Sequence, residues 1–305
     1  MESISSTVGP WAKEKLECLR KYLEAYTTIM SKQSWCEGFV YVDAFAGPGR
    51  HLVRPLRSDD PAQMLLAELS QYQPSDIGQQ EYINGSPRVA LSIQRPFTKY
   101  YFTELASSRL DSLLALKEEF AGARNIEVIS MDCNEFLVNQ FIRLHDWRKW
   151  RAIVFLDPFG RQVQWQTIKS LSKARGIEIF LNLPVWMAIQ RFLKRHGDFT
   201  QKERESLNVY FGTDKWASLL YKTESRQPDL LSGELPPTIK KVPNSSLLLV
   251  RWYRKRLRQL FAHVSSARLI KSARGRSLYC LIHATHNPTG GNIADEILRQ
   301  GTVIE

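Results

Sequence analysis

The chain has 305 residues, of which 11% are aromatic and 43% hydrophobic, and its 42 basic and 31 acidic side chains give a formal charge of +11. This composition excludes an intrinsically disordered chain, and no apolar run approaches the ~20 residues of a membrane span. Residues 1–7 lack signal-peptide features, and the four cysteines have neither disulfide nor zinc spacing. We therefore expect a cytoplasmic protein that binds no metal. The charge favours a polyanionic partner, most commonly nucleic acid, over a generally basic protein.

The first elements predict the beginning of a cofactor site. Apolar residues at helical spacing indicate an amphipathic helix over 10–31, and the run 39–42 reads as a buried strand. An acidic residue and a glycine turn follow it. Glycines let the backbone approach a ligand without a Cβ in the way. The residues of this loop that we expect at a ligand are Asp43, Phe45, Ala46, Gly47 and Gly49.

The next acidic strand end lies unusually far along the chain. Glu104 follows Asp43 at about three times the ~20-residue spacing of a minimal dinucleotide-binding unit. Ser86, followed by a proline, predicts an N-cap and the start of the first helix after the loop. Residues 50–84 would then be a lid-like excursion over the carboxyl edge of the sheet, with a helix over 61–71.

The remaining chain alternates strands and helices. Predicted strands occupy 100–103, 126–131, 152–156 and 177–182, with a helix over 107–120. A polar insertion at 195–244 is followed by a basic helix at 246–261, a β-hairpin at 267–271 and 278–284, and a helix at 292–299. We expect an α/β, Rossmann-like sheet, mostly parallel with an antiparallel last strand and helices on both faces. The domain division is 1–194 and 245–305 for the core, with 195–244 inserted.

Acidic residues end four successive predicted strands: Asp43, Glu104, Asp132 and Asp157. Ligands of open α/β sheets bind outside the carboxyl ends of the strands, so these four carboxylates are expected to converge at one site. Strand-end acids also serve as helix caps and turn formers, which is the alternative interpretation. A P-loop is excluded, because Gly-x-x-x-x-Gly-Lys-Ser/Thr is absent.

The segment Asp157-Pro158-Phe159-Gly160 is the candidate reaction edge. Together with Asp-x-Phe-x-Gly-x-Gly at 43–49, it resembles class I S-adenosylmethionine-dependent methyltransferases that act on adenine or guanine amines. A carboxylate and a backbone carbonyl would aim the lone pair of the acceptor amine, the proline would stiffen the turn, and the ring would stack on the base. Asn182 is a further candidate. The alternative interpretation of residues 157–160 is a structural strand-to-helix turn.

The same resemblance implies S-adenosylmethionine as cofactor. The glycine loop, with Asp43, would lie along its methionine part, and Glu104 would accept from the two ribose hydroxyls. Asp132 would accept from the adenine amine, with Cys133 beside the ring. Helix capping is the alternative role for both Glu104 and Asp132.

A basic helix face is the candidate nucleic-acid contact. Arg251, Arg254, Lys255 and Arg258 have i, i+3, i+4 and i+7 spacing and are expected to share one face that binds phosphates. The alternative is an ordinary solvated face.

In the order of its sequence motifs, nearly the whole chain resembles the three-Cys-motif partner (TcmP) family. The motifs that carry the resemblance are Gly9-Pro-Trp11-Ala-Lys-Glu-Lys15-Leu with Tyr22-Leu-Glu-Ala-Tyr26, Tyr41-Val-Asp-Ala-Phe-Ala-Gly-Pro-Gly49, Gly85-Ser-Pro87, Phe102-Thr-Glu104, Phe155-Leu-Asp-Pro-Phe-Gly160 with Trp165, and Leu278-Tyr-Cys-Leu-Ile-His-Ala-Thr285. It implies a methyltransferase-like core, a bacterial or phage setting and an iron–sulfur three-Cys-motif protein as partner.

The function predicted from the sequence is methylation of an exocyclic amino group of a base in RNA or DNA. A duplex substrate would require base flipping. The rival is a catalytically silent methyltransferase-like module that binds nucleic acid or a partner protein, in a phage-defence or modification system. A nuclease is disfavoured, because no acidic–lysine pattern or histidine pair suits phosphodiester cleavage.

Overall fold

The computed structural model describes residues 6–8, 11–53, 82–224 and 238–305. Its α-helices of more than one turn are α1 (Trp11–Met30), α2 (Ser86–Leu91), α3 (Ser107–Glu119), α4 (Trp165–Lys173), α5 (Gln201–Phe211), α6 (Trp216–Leu220), α7 (Ser245–Leu257) and α8 (Pro288–Leu298). Shorter helical turns occupy 133–143 and 185–192.

The strands begin with β1 (Ser6–Val8), β2 (Gly38–Asp43), β3 (Arg50–Val53), β4 (Tyr82–Asn84), β5 (Lys99–Thr103), β6 (Ile126–Ile129) and β7 (Trp150–Leu156). They continue with β8 (Ile177–Leu183), β9 (Tyr221–Glu224), β10 (Thr238–Lys241), β11 (His263–Val264), β12 (Ala267–Lys271), β13 (Ser277–Thr285) and β14 (Val303–Ile304).

The central sheet has the order β14-β12-β13-β8-β7-β2-β5-β6, and β11 pairs with β13. The strands from β8 to β6 in this order are parallel, whereas β13 runs antiparallel between β8 and β12. The predicted fold class is confirmed: a mixed α/β, Rossmann-like sheet whose last long strand is antiparallel.

Both faces of the sheet are covered, as its apolar strands require. On β2, Val40 and Val42 point into a core formed with α4, α5 and α7, whereas Tyr41 points into the other core with α1, α3 and α8. This alternation is the two-residue period of a strand between two helical layers.

The start of α2 differs from its prediction. Gly85 occupies the N-cap position without a side-chain cap, and Ser86 already lies in the first turn. The Ser86 hydroxyl is not a cap because it hydrogen-bonds the Asp43 carboxylate on β2. The last helix also begins earlier than predicted, at Pro288, because Asn287 caps it by accepting from the Thr289 N–H.

The predicted excursion 50–84 begins and ends in paired strands. Strands β3 and β4 are antiparallel, with Arg50 opposite Asn84, and β1 joins β3 in parallel. The predicted helix over 61–71 lies outside the described residues.

The segment 195–244, predicted as a polar insertion, packs on the core. Its described part contains α5, α6 and the antiparallel pair β9–β10. The apolar side chains of Leu207, Phe211 and Trp216 belong to the same buried cluster as Tyr253 of α7. Tertiary packing therefore buries a few large side chains that the polar average of the segment conceals.

Candidate functional site

Backbone hydrogen bonds bring the carboxyl ends of the parallel strands to one level. The Ala44 N–H donates to the Phe155 carbonyl at 3.0 Å, and the Ala46 N–H donates to the Thr103 carbonyl at 3.1 Å. The strand ends at Asp43, Glu104 and Asp157 are therefore held at the same edge of the sheet.

A cleft of about 640 Å³, including its open mouth, lies at this edge. Its polar lining is Lys15, His51, Ser86, Arg109, Asp157 and Asn182, and its other lining residues are Phe45, Ala46, Gly47, Pro48, Pro158, Phe159, Pro184, Met187 and Tyr279. Seven predicted site residues thus meet here: Phe45, Ala46, Gly47, Asp157, Pro158, Phe159 and Asn182. The side chains of Asp43, Glu104, Asp132 and Cys133, along with Gly49 and Gly160, are not part of this lining.

The glycine loop is a tight turn that requires its glycines. Gly47 and Gly49 have φ of 61° and 76°, in the left-handed region that side chains disfavour. The Gly85 N–H donates to the Gly49 carbonyl at 2.8 Å, and a Cβ on Gly85 would lie 2.8 Å from His51 Nε2. The loop is therefore folded tightly against the start of α2.

Asp43 lies behind the cleft, fully buried. Its Oδ1 accepts from the Phe45 N–H at 3.3 Å, and its Oδ2 accepts from the Tyr41 hydroxyl at 3.2 Å. Burial raises its pKa to about 7, and the negative charge of Asp157 adds to this, while the hydrogen bond from Ser86 works in the opposite direction. Ser86 lines the cleft, so its hydroxyl connects Asp43 to the ligand space.

Glu104 is held by the backbone at the entry to α3. Its Oε1 accepts from the Leu105 and Ala106 N–H groups, both at 2.9 Å, so it braces the turn before α3 but does not cap that helix, whose N-cap residue is Ala106. Its Oε2 lies 3.5 Å from Nη1 of Arg109. Arg109 is the member of this pair that lines the cleft, and its guanidinium lies 5.6 Å from the centroid of the Phe159 ring.

Asp132 caps the helical turn that follows β6. Its Oδ1 accepts from the Asn134 and Glu135 N–H groups at 2.9 and 3.2 Å. Asp132 therefore has the helix-capping role that is the alternative to adenine binding. Burial raises the pKa of the Cys133 thiol to about 12, so this cysteine is a neutral core residue. Asn134, which the sequence did not single out, donates to the Gln162 carbonyl at 2.8 Å and so ties this turn to the chain after Gly160.

Asp157 binds two side chains from distant parts of the chain. Its Oδ2 accepts from the Lys15 ammonium of α1 at 2.5 Å, and its Oδ1 accepts from Nδ2 of Asn182 at 2.6 Å. The Oδ1 atom of Asn182 is buried without a hydrogen-bond donor among the described residues. Leaving such an acceptor unpaired costs about 1–3 kcal/mol, so a ligand N–H at this position would be favoured.

Lys15, His51 and Arg109 are cleft residues that sequence reasoning missed. Burial, together with the nearby Lys15 ammonium, lowers the pKa of His51 to about 4, so this imidazole is neutral at pH 7. His51 lies only two residues after the loop glycine Gly49, and this spacing was the one available signal. Lys15 belongs to the motif at 9–16 that carries the family resemblance, but nothing in the sequence assigned it to the cleft, because its helix precedes the whole sheet.

The basic helix α7 does not present its four predicted residues together. Arg251, Lys255 and Arg258 are exposed, but Arg254 is 1% exposed. Its guanidinium donates to the carbonyls of Ser265 and Ile304. The prediction that Arg254 contacts nucleic acid is therefore wrong, because this position of α7 faces the core.

Within the described ranges, no cluster of three or more histidine, cysteine, aspartate or glutamate side chains could hold a metal ion. Over the same residues, no helix is both long enough and apolar enough to span a membrane.

No protein-family model matches the chain, and no curated protein matches it. Solved structures with a similar arrangement include a protein of Legionella pneumophila described by the family model DUF519, at 15% identity, with 88% of this chain and 96% of that chain covered and a TM-score of 0.40. An rRNA methylase from Streptococcus thermophilus has 12% identity, 74% and 95% coverage and a TM-score of 0.28. The plantazolicin methyltransferase BpumL, solved with S-adenosylhomocysteine, has 12% identity, 89% and 84% coverage and a TM-score of 0.31. These are distant likenesses, and the fold class of the chain rests on its own strand order: a mixed, Rossmann-like sheet with an antiparallel last long strand.

Proposed function

We propose that the protein is an S-adenosylmethionine-dependent methyltransferase that methylates an exocyclic amino group of a base in RNA or DNA. The observation that carries the proposal is the pair of Asp157 and Asn182 at the carboxyl edge of β7 and β8. Asn182 contributes a buried amide oxygen that has no donor among the described residues, and Asp157 contributes a carboxylate. Two acceptors side by side suit the two hydrogens of an amino group.

The described residues fit the proposed cofactor, whose chemistry is to supply an electrophilic methyl group. The backbone of Phe45, Ala46 and Gly47 lines the cleft and would flank the methionine part. The Ser86 hydroxyl would accept a hydrogen bond from the ammonium group of the cofactor while it donates its own hydrogen to the Asp43 carboxylate. Glu104 Oε2 would accept a hydrogen bond from a ribose hydroxyl in place of its 3.5 Å contact with Nη1 of Arg109. Asp132 and Cys133 stay proposed neighbours of the adenine.

The residues at the reaction edge would orient the acceptor. Asn182 Oδ1 would accept one amine hydrogen, and Asp157 Oδ2 would accept the other in place of the Lys15 ammonium. An amine that gains a methyl group must lose a proton, and the Asp157 carboxylate is the adjacent group that can take it. Phe159 would stack on the base, with Arg109 over the same ring.

Membership of the TcmP family, and with it a bacterial iron–sulfur three-Cys-motif partner protein, is part of the proposal. It rests on the ordered motifs of the sequence alone. The glycine loop and Asp157-Pro158-Phe159, the central members of that set, line one cleft.

One observation favours the rival, a catalytically silent module. Both oxygens of Asp157 already have partners within the described residues, Lys15 and Asn182. If the lysine is a permanent partner of Asp157, no substrate amine reaches this carboxylate.

Calorimetric titration with S-adenosylmethionine and S-adenosylhomocysteine tests the cofactor. We expect micromolar binding that Glu104→Ala weakens at least about tenfold, since the charged hydrogen bond to a ribose hydroxyl is lost. The matched control is Glu37→Ala, a surface glutamate before β2 that pairs with Lys149. Wild-type protein that binds neither ligand at millimolar concentration contradicts the proposal and favours the silent module. Transfer of a labelled methyl group to tRNA, rRNA or DNA then identifies the acceptor.

A further inference from the structure

An exposed phenylalanine lies beside the reaction edge. Phe192 ends the helical turn 185–192 and is 37% exposed. A Cβ built on Gly160 would lie 4.0 Å from Cε2 of Phe192, so the ring adjoins the Asp157–Gly160 segment directly. Arg161 covers this ring, with its guanidinium carbon 3.7 Å from the ring centroid. We call Arg161, Arg191 and Phe192 the stacking platform.

The exposure of Phe192 is not a general property of its segment. Val185, Met187, Ala188 and Ile189 in the same turn are buried, as is Leu193 after it. Among the described residues, the exposed large aromatic side chains are Trp35 and Phe192. A single exposed aromatic side chain is normal on a protein surface, so the argument depends on the position of Phe192 beside Gly160 and on the arginine over its ring.

The platform is also basic. Within the described residues, no ion pair to a carboxylate involves Arg161, Arg191 or the nearby Arg195. Neighbouring cations on either side do have such partners: Lys194 binds Glu203, and Arg109 binds Glu104. Arg161 lies over the ring, and Arg191 and Arg195 are exposed and lie one and three positions from Phe192 in the chain. The charge of Glu203 acts on Arg161, so the positive charge beside the ring is only partly compensated. A chain of phosphates with exposed bases complements this combination.

We propose that the stacking platform binds single-stranded nucleic acid, with an unpaired base next to the target stacked on Phe192 and Arg161. A single strand is required, because the bases of a duplex are stacked on each other and cannot reach a protein ring. The inference rests on the proposed function and adds its substrate form: an unstacked strand, RNA or DNA, whose target base enters the cleft beside Asp157.

Fluorescence anisotropy with a labelled single strand tests the platform, in one RNA arm, one DNA arm and one duplex arm of the same sequence. Phe192→Ala is expected to weaken single-strand binding about tenfold, the effect of one lost base–aromatic stack, and to leave duplex binding unchanged. Phe192→Trp should retain the affinity, which separates stacking from misfolding. Arg161→Gln with Arg191→Gln should reduce the salt dependence of binding by roughly two phosphate contacts. The tighter arm, RNA or DNA, identifies the strand.

Trp35→Ala is the matched control. Trp35 is also an exposed aromatic residue under an arginine, with the Arg151 guanidinium 4.3 Å from its ring, but it precedes β2 at the opposite edge of the sheet. Single-strand binding that Phe192→Ala leaves unchanged, or that Trp35→Ala weakens equally, overturns the proposal. If Phe192→Ala leaves single-strand binding unchanged but abolishes the capture of a protein in a pull-down, the surface is assigned to a protein partner instead.

The two proposals fail separately. A protein that binds single strands through Phe192 but no S-adenosylmethionine supports the platform and contradicts the methyltransferase. A protein that binds the cofactor through Glu104, and whose affinity for single strands is unchanged by Phe192→Ala, supports the methyltransferase and contradicts the platform.

Discussion

The Lys15 ammonium lies 2.5 Å from Oδ2 of Asp157, and this contact joins the N-terminal helix to the end of β7. The two side chains are only 15% and 18% exposed, so the pair is poorly screened by water. It also occupies the carboxylate that we propose for the substrate amine. The lysine is therefore a partner that binding of the acceptor must replace.

A double-mutant cycle measures this pair. For Lys15→Met and Asp157→Asn we expect a coupling free energy of about 2 kcal/mol in urea unfolding, because each single variant leaves a largely buried partner unsatisfied. The control cycle, Lys149→Met with Glu37→Gln, joins atoms 2.7 Å apart at 57% and 52% exposure. There we expect a clearly smaller coupling free energy, because water and salt screen an exposed pair. Equal couplings would show that burial adds nothing to the Lys15 pair.

Asp157→Asn tests the reaction edge at nearly constant side-chain size. We expect methyl transfer to fall at least about a hundredfold, since one acceptor of the amine hydrogens becomes a donor. Cofactor affinity should stay within a few fold, because the glycine loop and Glu104 are unchanged. The control is Asp146→Asn, an exposed aspartate that binds Arg148. Normal turnover by Asp157→Asn would remove this residue from the mechanism.

Asp43 makes stability depend on pH in a defined window. Its pKa is raised from 3.8 to about 7 in the folded protein, so its contribution to stability is fully present below pH 4 and is lost as the pH rises to about 7. Between pH 5 and pH 8, the free energy of unfolding of wild type should fall by roughly 2 kcal/mol more than that of Asp43→Asn. Urea unfolding at both pH values checks this, with the exposed Asp111→Asn as control. Parallel pH profiles for wild type and Asp43→Asn would contradict it.

Arg254 and Arg258 are both on the basic helix, but we expect Arg254 to stabilise the fold and Arg258 to bind nucleic acid. Arg254→Met is expected to destabilise the protein by about 1–3 kcal/mol, because it leaves two buried carbonyls without donors. Arg258→Met should change stability by less than about 0.5 kcal/mol and instead weaken salt-dependent binding of nucleic acid. Thermal unfolding and anisotropy on both variants test the pair. Full stability of Arg254→Met would contradict the structural role.

Local patterns were sufficient for the longer strands of the central sheet and for the glycine loop, but not for the two-residue strands β11 and β14. The strand ends at Asp43, Glu104 and Asp157 follow from apolar runs that stop at an acid, and parallel strands bring such ends together. The exposure of α7 was harder to predict. Helical spacing puts Arg254 on the face of Arg251 and Arg258, but the buried carbonyls of Ser265 and Ile304 turn it inward, and no local pattern encodes that contact.

Contacts between distant segments account for the other errors. Ser86 fits the capping pattern before Pro87, yet its hydroxyl serves Asp43, 43 positions earlier in the sequence. Lys15 and Asp157 are 142 positions apart. Such pairs depend on how α1 and α2 pack on the sheet, which side-chain periodicity does not specify.

The antiparallel strand β13 makes the cleft a late product of synthesis. Tyr279 on β13 lines the same cleft as Lys15 on α1, and Arg268 on β12 binds Glu14 at 2.8 Å. As the chain emerges from the ribosome, the parallel strands can pair first, but β8 stays an open edge until β13 arrives. The nascent protein therefore has no complete cleft until these C-terminal strands are free, and ligand binding cannot assist its earlier folding.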